Sequence, residues 1–477
     1  MYPTTIGLVL LPLTAIFAGR PIRLLQLALI FAIFEAAAAL VIGGFGIQPA
    51  LVPGLVFLVY VVLQYAAGMR YPGEGRVFST LAPLLLLLSY ALLSIAVLPD
   101  IFAGKVFVAP QKVDPLGGAV LVPLEYTSGN MTQTLYLTQN VVVTLFAALF
   151  LTRFEVPYHK IIAAYLLGGY IEVVIALWQF ASRTAGVPFP DDVLYSNPGW
   201  AIVAQAIGTV PRIQGSFSEP AGLAVYLLGL SFCCAWLVAH GQRTMRPDLL
   251  LGLAILVILL STSTTGLVCL FIGLPLLLTL AALRGDRYVR TRLQRLVVLL
   301  AVGGSLAIGP IFVLKPDLLK QVDEVVQGTL SKQEGDSYND RTALDEAALA
   351  TVGQTYGLGV GWGSFRPSSL IPGLLANGGV FGVAMLIWLG GRVARLATRA
   401  AAKTRDHPGG ILVSGFSAAL CGQLAAAVIS APTITSTAFF LQLGCVVGAA
   451  ARMEFDSVVA RRCSSWARAW TYQRGPS

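Results

Sequence analysis

Residues 78–98, FSTLAPLLLLLSYALLSIAVL, contain no charged side chain, and the stretch is bracketed by Arg70 and Arg76 on one side and Asp100 on the other. As a helix it would rise about 30 Å, the thickness of a bilayer's hydrocarbon core. Windows of the same kind recur outward in both directions. They fall near residues 4–19, 24–44, 50–68, 133–152, 158–182, 217–239, 248–263, 266–283, 296–314, 372–391, 409–430 and 433–451. The pattern predicts an all-α polytopic membrane protein with about 13 transmembrane helices, in a range of roughly 12 to 14. Composition agrees: 56% of the 477 residues are hydrophobic, 12% are charged, and mean hydropathy is +0.77, outside the range of soluble domains. The first window lacks a basic leader and a small-residue cleavage site, so it is expected to stay as a span.

Basic residues in short loops are retained on the cytoplasmic side, and here they fall in alternate loops. One set is Arg20 and Arg23, Arg70 and Arg76, Arg153 and Lys160, Arg243 and Arg246, then clusters from Arg284 to Arg295, Arg392 to Arg405 and Arg452 to Arg474. The opposite face holds Lys105, Lys112, Arg183, Arg212, Lys315, Lys320, Lys332, Arg341 and Arg366. The amino terminus is therefore expected outside and the carboxyl terminus in the cytoplasm. The net charge of +9 follows from this topology and the anionic inner leaflet, so no nucleic-acid partner is inferred. All six cysteines fall in spans or on the cytoplasmic side, leaving no exterior disulfide framework or thiolate metal site. The three histidines, His159, His240 and His407, sit at cytoplasmic ends.

Four regions follow. Residues 1–182 hold the amino-terminal helices with an exterior loop near 99–132. Residues 183–314 hold central helices and a first arginine segment, 315–371 a large exterior loop, and 372–477 the last helices and a cytoplasmic tail. Near 99–132 the prolines and glycines indicate turns and short extended pieces. Pro198 is placed to open a short surface helix with Trp200 at the interface. In 315–371, Leu318, Leu319, Val322, Val325, Val326 and Leu330 recur at helical spacing, as on a surface-lying amphipathic helix. A second helix follows SKQEGDSYND, with Asn339 or Asp340 as N-cap and Arg341 in its first turn. A cation there opposes the helix dipole, which invites an anionic partner.

The exterior arginines sit in two short motifs. The first, PRIQGSFSEPAG, carries Arg212 and Glu219 at the mouth of a span, where charge is costly unless paired or facing water. A simple salt bridge between the two at the interface is the plainer alternative. The second, GLGVGWGSFRPSSL, sets Gly357, Gly359, Gly361 and Gly363 at two-residue spacing before Arg366, Pro367, Ser368 and Ser369. Glycines at positive φ can turn successive amides into an anion-binding concavity, and Ser368 precedes a helix whose amides can face an anion. A tight turn feeding the next span is the plainer alternative. Converging guanidinium groups suit pyrophosphate, which they bind in a bidentate manner. Glu35 and Glu172, within spans, leave room for a proton or ion path and hence a transporter, and STSTTG at 261–266 fits a turn between spans or a sugar contact.

PRIQGSFSEPAGLAVYL resembles the Arg-x-x-Gly-x-Phe segment of the bacterial O-antigen ligase and polymerase superfamily. Arg341, GLGVGWGSF and LLANGGVFG resemble that family's large periplasmic loop and following span, so the likeness covers roughly residues 205–395. It implies a GT-C-like, inverting glycosyltransferase that uses no metal and no cofactor. Its donor and acceptor would be undecaprenyl-pyrophosphate-linked oligosaccharides, at the outer face of the bacterial inner membrane. It also implies a flippase, a chain-length regulator and export proteins as partners alongside membrane lipid. Arg212 and Arg341 correspond to the family's pyrophosphate-binding arginines, and Arg366, Gly361, Gly363 and Ser368 are carried with the second motif. The ligases' His-Asn pair is absent, since SSLIPGLLANGG has no histidine. The expectation is therefore a Wzy-type repeat-unit polymerase of exopolysaccharide or O-antigen. Ligase-type transfer to another acceptor is the alternative, and a polysaccharide transporter or flippase the second. Glu219 is the candidate general base or else the residue that holds Arg212; Asp340 is a further candidate base or a helix cap.

Overall fold

The structure, a computed structural model, describes residues 1–111, 121–154, 156–198, 206–207, 210–284, 287–298, 336–366, 368–403, 407–430 and 436–473. The described chain is a helical bundle with three small antiparallel sheets. It opens with Tyr2–Pro3 (β1), Thr5–Ile16 (α1), Pro21–Phe31 (α2), Leu40–Ile42 (β2), Phe45–Ile47 (β3) and Leu51–Ala66 (α3). Then come Glu74–Ile101 (α4), Phe107–Val108 (β4), Val122–Pro123 (β5), Ser128–Phe150 (α5), Tyr158–Ala185 (α6) and Asp191–Leu194 (α7). The central part holds Ala206–Ile207 (β6), Val210–Pro211 (β7), Pro220–Ala239 (α8), Pro247–Leu260 (α9), Thr264–Val268 (α10), a π turn at Cys269–Gly273, and Leu274–Arg284 (α11). Residues 287–298 form α12. Asp336–Gln354 (α13), Leu370–Lys403 (α14), Gly409–Ser430 (α15) and Thr437–Gln473 (α16) complete the described elements.

Eight helices among the described residues are long and apolar enough to cross a membrane, including α4, α5, α6, α8, α14 and α15. The chain is a mostly helical, multi-pass membrane protein. Helices α1, α2, α3 and α9 are apolar but shorter, at 12, 11, 16 and 14 residues. The expected span at 296–314, apart from its first residues, lies outside the described residues, as do the amphipathic helix at 318–330 and the segment after Pro198 with Trp200.

The window 24–44 is not one helix. Helix α2 stops at Phe31, and residues 40–47 turn back as a hairpin whose register pairs Leu40 with Ile47 and Ile42 with Phe45. Gly43 and Gly44 have φ of 57° and 83°, as a two-residue hairpin turn requires. Tyr2 and Pro3 add a third strand on Val41 and Leu40. Hydropathy weighs side chains alone, so an apolar hairpin and an apolar helix score alike. Helix α13 also departs from expectation. It covers Asp336–Gln354, so Asn339 and Asp340 lie inside it and Arg341 is past its first turn. STSTTG is the turn between α9 and α10, with the Ser263 hydroxyl accepting from the Gly266 amide at 3.3 Å.

Most of the bundle shares one apolar core. Helix α16 approaches α5 closely through small residues: a Cβ at Gly448 would lie 2.3 Å from the Ala148 carbonyl oxygen, and one at Gly444 2.7 Å from that of Thr144. At one end, loops carrying the first set of basic residues meet in ion pairs. Arg76 pairs with Glu454 at 2.8 Å, and Asp456 takes both Arg452 at 2.7 Å and His407 at 3.1 Å. A second, smaller core gathers Leu98 and Phe102 of α4, Val108, Leu124, Ala348 of α13, and Val360, Phe365 and Ala376. This core lies beneath the second arginine motif.

Candidate functional site

Each arginine motif is a loop that polar side chains fasten to the bundle. The segment 212–219 hangs from α6. Gln179 Oε1 accepts from the amides of Gln214 at 2.8 Å and Gly215 at 2.9 Å. One turn-pair earlier on the same helix, the buried Glu172 carboxylate accepts from the Ser216 amide at 3.1 Å and from its hydroxyl. Residues seven apart share a helix face, so the two side chains grip adjacent peptides. Gly215 has φ of 59°, and a Cβ there would lie 1.9 Å from Glu172 Oε1, so only glycine fits. Tyr195 completes the clasp, donating to the Gly215 carbonyl at 2.7 Å. In this geometry Glu172 fastens a loop.

The second motif is held by α4, α5, α14 and the β4–β5 hairpin. Gly357, Gly359, Gly361 and Gly363 all have positive φ, between 78° and 97°. Their neighbourhood is a knot of protein contacts in place of an open anion cradle. The amides of Gly357, Gly359 and Val360 donate to Val352, Thr355 and Ala376, and the Trp362 amide to Ser94 Oγ at 3.2 Å. Gly361 and Gly363 are buried where α4 and α5 pass closely: Cβ atoms there would lie 3.1 Å from the Ser94 carbonyl oxygen and 2.9 Å from Gln133 Cβ. Close approach is thus one reason for glycine at both positions. Ser368 is half-buried, while its neighbour Ser369 donates to Asp345 of α13 at 2.7 Å.

Arg366 emerges from this knot with the peptide that precedes it fixed. Its amide donates to the Ala109 carbonyl at 2.8 Å. The preceding Phe365 gives its amide to Asn377 Oδ1 at 3.0 Å, and its carbonyl accepts from Asn377 Nδ2 and Gln111 Nε2 at 3.0 and 2.9 Å. Asn130 binds the Trp362 carbonyl at 3.0 Å and Ser364 Oγ at 2.7 Å. Helix α14 breaks at Gly379 (φ 63°, ψ −166°), where the Gly357–Leu358 peptide packs against it.

The two loops meet through charge. Arg366 Nη2 lies 3.3 Å from Glu219 Oε1, each side chain about a third exposed, at 34% and 36%. Burial first, then the like charge of Arg341, pulls the Arg212 guanidinium down to about 10, and Glu219 opposes the fall. Arg212, Arg341, Arg366 and Glu219, chosen from the sequence, thus form one electrostatic cluster. Glu219 pairs with Arg366, and its charge also acts on Arg212. Arg183, at the end of α6, donates to the Arg212 carbonyl and brings a fourth guanidinium. Guanidinium groups outnumber carboxylates here, and a partly enclosed excess of positive charge is suited to a polyanion.

Glu35 also belongs to this neighbourhood. The Ala36 amide donates to the Ser216 carbonyl at 3.2 Å, and the Ile33 carbonyl oxygen lies 2.8 Å from Ser216 Oγ. Glu35 lies past the end of α2, outside the spanning helices, and burial followed by repulsion from Glu219 raises its carboxyl to about 7. Gln179, Asn130, Asn377, Gln111 and Arg183 were not singled out in the sequence. The signal for Asn130 is Thr127-x-x-Asn130, a capping box at the start of α5. For Gln179 it is the shared face with Glu172 in an otherwise apolar helix. No family model matches the chain, and no curated protein matches it.

Proposed function

We propose that the protein is an inverting glycosyltransferase that polymerises undecaprenyl-pyrophosphate-linked oligosaccharide repeat units into exopolysaccharide or O-antigen. In this reading the chain is a GT-C-like bundle of about 13 spans in the bacterial inner membrane. Its amino terminus and arginine loops face the periplasm and its carboxyl terminus the cytoplasm. A flippase would deliver the lipid-linked units, and chain-length and export proteins would take the product. The observation that supports the reading is the clustering of Arg212, Arg341 and Arg366 around Glu219, on two separately anchored loops and helix α13.

The chemistry follows from that charge. An acceptor sugar hydroxyl attacks the anomeric carbon of the lipid-linked chain from the face opposite the phosphate. The C–O bond to pyrophosphate breaks, and the carrier leaves with the electron pair. Pyrophosphate gains negative charge as it departs, and fixed guanidinium groups stabilise that charge without reorganising. Losing one such donor costs on the order of 100- to 1000-fold in rate. Purified protein incubated with lipid-linked repeat units is expected to give a ladder of longer lipid-linked glycans. Arg212→Ala and Arg341→Ala are each expected to abolish the ladder while leaving the protein inserted. A ladder of normal length from either variant would exclude these arginines. A product on a second acceptor would assign ligase-type transfer, and unchanged glycan would assign transport.

A further inference from the structure

The cluster contains a second carboxylate whose surroundings differ from those of Glu219. Glu219 is committed: it lies 3.3 Å from Arg366 and stands at the N-cap position of α8. Glu35 makes no hydrogen bond or ion pair through its carboxylate among the described residues, and it is partly buried. Its backbone is held firmly. Gln48 Nε2 donates to the Glu35 carbonyl at 3.4 Å, Asn197 N to the Ala36 carbonyl at 3.2 Å, and Ala36 N to Ser216 at 3.2 Å. The charged groups on the surrounding elements are Glu219 at the start of α8, Arg366 beyond it, Arg212 in the same loop, and Glu172 of α6, which grips Ser216 from the other side. The nearby Ser196, Asn197 and Gln48 are uncharged.

We propose that Glu35 accepts the proton of the attacking sugar hydroxyl, and that Glu219 is a positioning residue that holds Arg366. The inference rests on the glycosyl-transfer reading above. In the step, the hydroxyl oxygen bonds to the anomeric carbon, its proton passes to a Glu35 carboxylate oxygen, and the pyrophosphate leaves with the C–O electron pair. Water then removes the proton from Glu35.

The physical case is a division of labour between two neighbouring carboxylates. Burial disfavours the charged form of Glu35 and the charge of Glu219 adds to that, while Glu219, with Arg366 as its guanidinium partner, keeps its charge. The one without a partner is left to take up and release a proton near neutral pH, where a general base is most effective. A carboxylate bound to Arg366 is a poor base, because protonation would break the pair.

The test uses the full-length protein in detergent or nanodiscs, as wild type, Glu35→Gln and Glu219→Gln. Infrared difference spectra between pH 5.5 and 8.5 read a protonated-carboxyl band, and elongation of lipid-linked repeat units is followed over the same range. Wild type is expected to lose a carboxyl band near pH 7, and its rate to rise through the same pH. Glu35→Gln is expected to lack that band and to elongate roughly 100- to 10,000-fold more slowly. Glu219→Gln is expected to keep the band and the rising limb, both moved to lower pH because the repelling charge is gone. A band unchanged by Glu35→Gln, or wild-type elongation by that variant, overturns the proposal. A wild-type protein with the Glu35 band but no elongation overturns instead the glycosyl-transfer reading, and the proton-acceptor role falls with it. If the amide variant does not fold, Glu35→Asp gives the same comparison with the carboxylate withdrawn by one methylene.

Discussion

Glu219 places one negative charge among several guanidinium groups, so its removal and the removal of an arginine act in opposite directions on anion binding. Glu219→Gln is expected to tighten inhibition by inorganic pyrophosphate by roughly tenfold, about 1.4 kcal/mol, and Arg212→Ala to weaken it by at least as much. Calorimetric titration checks both. The Arg366–Glu219 pair is a third exposed, so its loss should change stability by under about 1 kcal/mol. Glu35 gives a pH effect of the opposite sign to that of a paired carboxylate. Its folded-state value, about 7, lies above the free value of 4.5, so its contribution is full below pH 4.5 and disappears as pH rises through 7. The thermal midpoint of wild type is therefore expected to fall between pH 5 and 8 more than that of Glu35→Gln. Gly215→Ala sets a methyl group against Glu172 at a positive φ, a strain on the order of 1–3 kcal/mol, and moves the loop that carries Arg212. A lowered midpoint together with lost elongation is expected, whereas Glu172→Gln keeps one acceptor oxygen and should be milder.

Among the elements, the turns between helices carry more of the site than their sequences suggest. The segment after β4 contributes the Ala109 carbonyl and Gln111, which together hold the Phe365–Arg366 peptide, yet nothing in the sequence around them marks that role. Asn377 of α14 satisfies both the amide and the carbonyl of Phe365. Asn377→Ala should leave the buried Phe365 amide unmatched, at about 1–3 kcal/mol, while Gln111 still serves the carbonyl, and cut elongation by loosening Arg366. Thermal unfolding and polymer length measure the two effects separately. The glycine run was legible as backbone with positive φ, but not in its partners. Its amides bond to Ser94, Thr355 and Ala376, and no local spacing reveals which distant carbonyl or hydroxyl will arrive. The start of α13 was misplaced because several residues of SKQEGDSYND can cap a helix. The hairpin at residues 40–47 was readable in its Gly43-Gly44 turn, yet the surrounding apolar side chains produced a span-like window.

Across the whole molecule, what composition can see is which helices are long and apolar, and what it cannot see is how they are held together. Small-residue contacts decide that for α5 and α16: a leucine at Gly448 would enter space where even a Cβ lies 2.3 Å from Ala148. Gly448→Leu is expected to reduce the folded, monodisperse fraction in detergent far more than Gly252→Leu, since no atom lies within 4 Å of a Cβ at Gly252. Arg212 and Arg341 were legible because charge is scarce on their face, and Glu35 was misread because its segment was taken for the inside of a helix. The unequal helices have one more consequence. Helix α1, with Leu8, Val9 and Ile16 exposed, offers an apolar wall of about 18 Å, against about 42 Å for α4. In the proposed reading, lipid beside the amino-terminal elements would thin to match that wall, which would shorten the distance a pyrophosphate headgroup has to rise to reach the arginines.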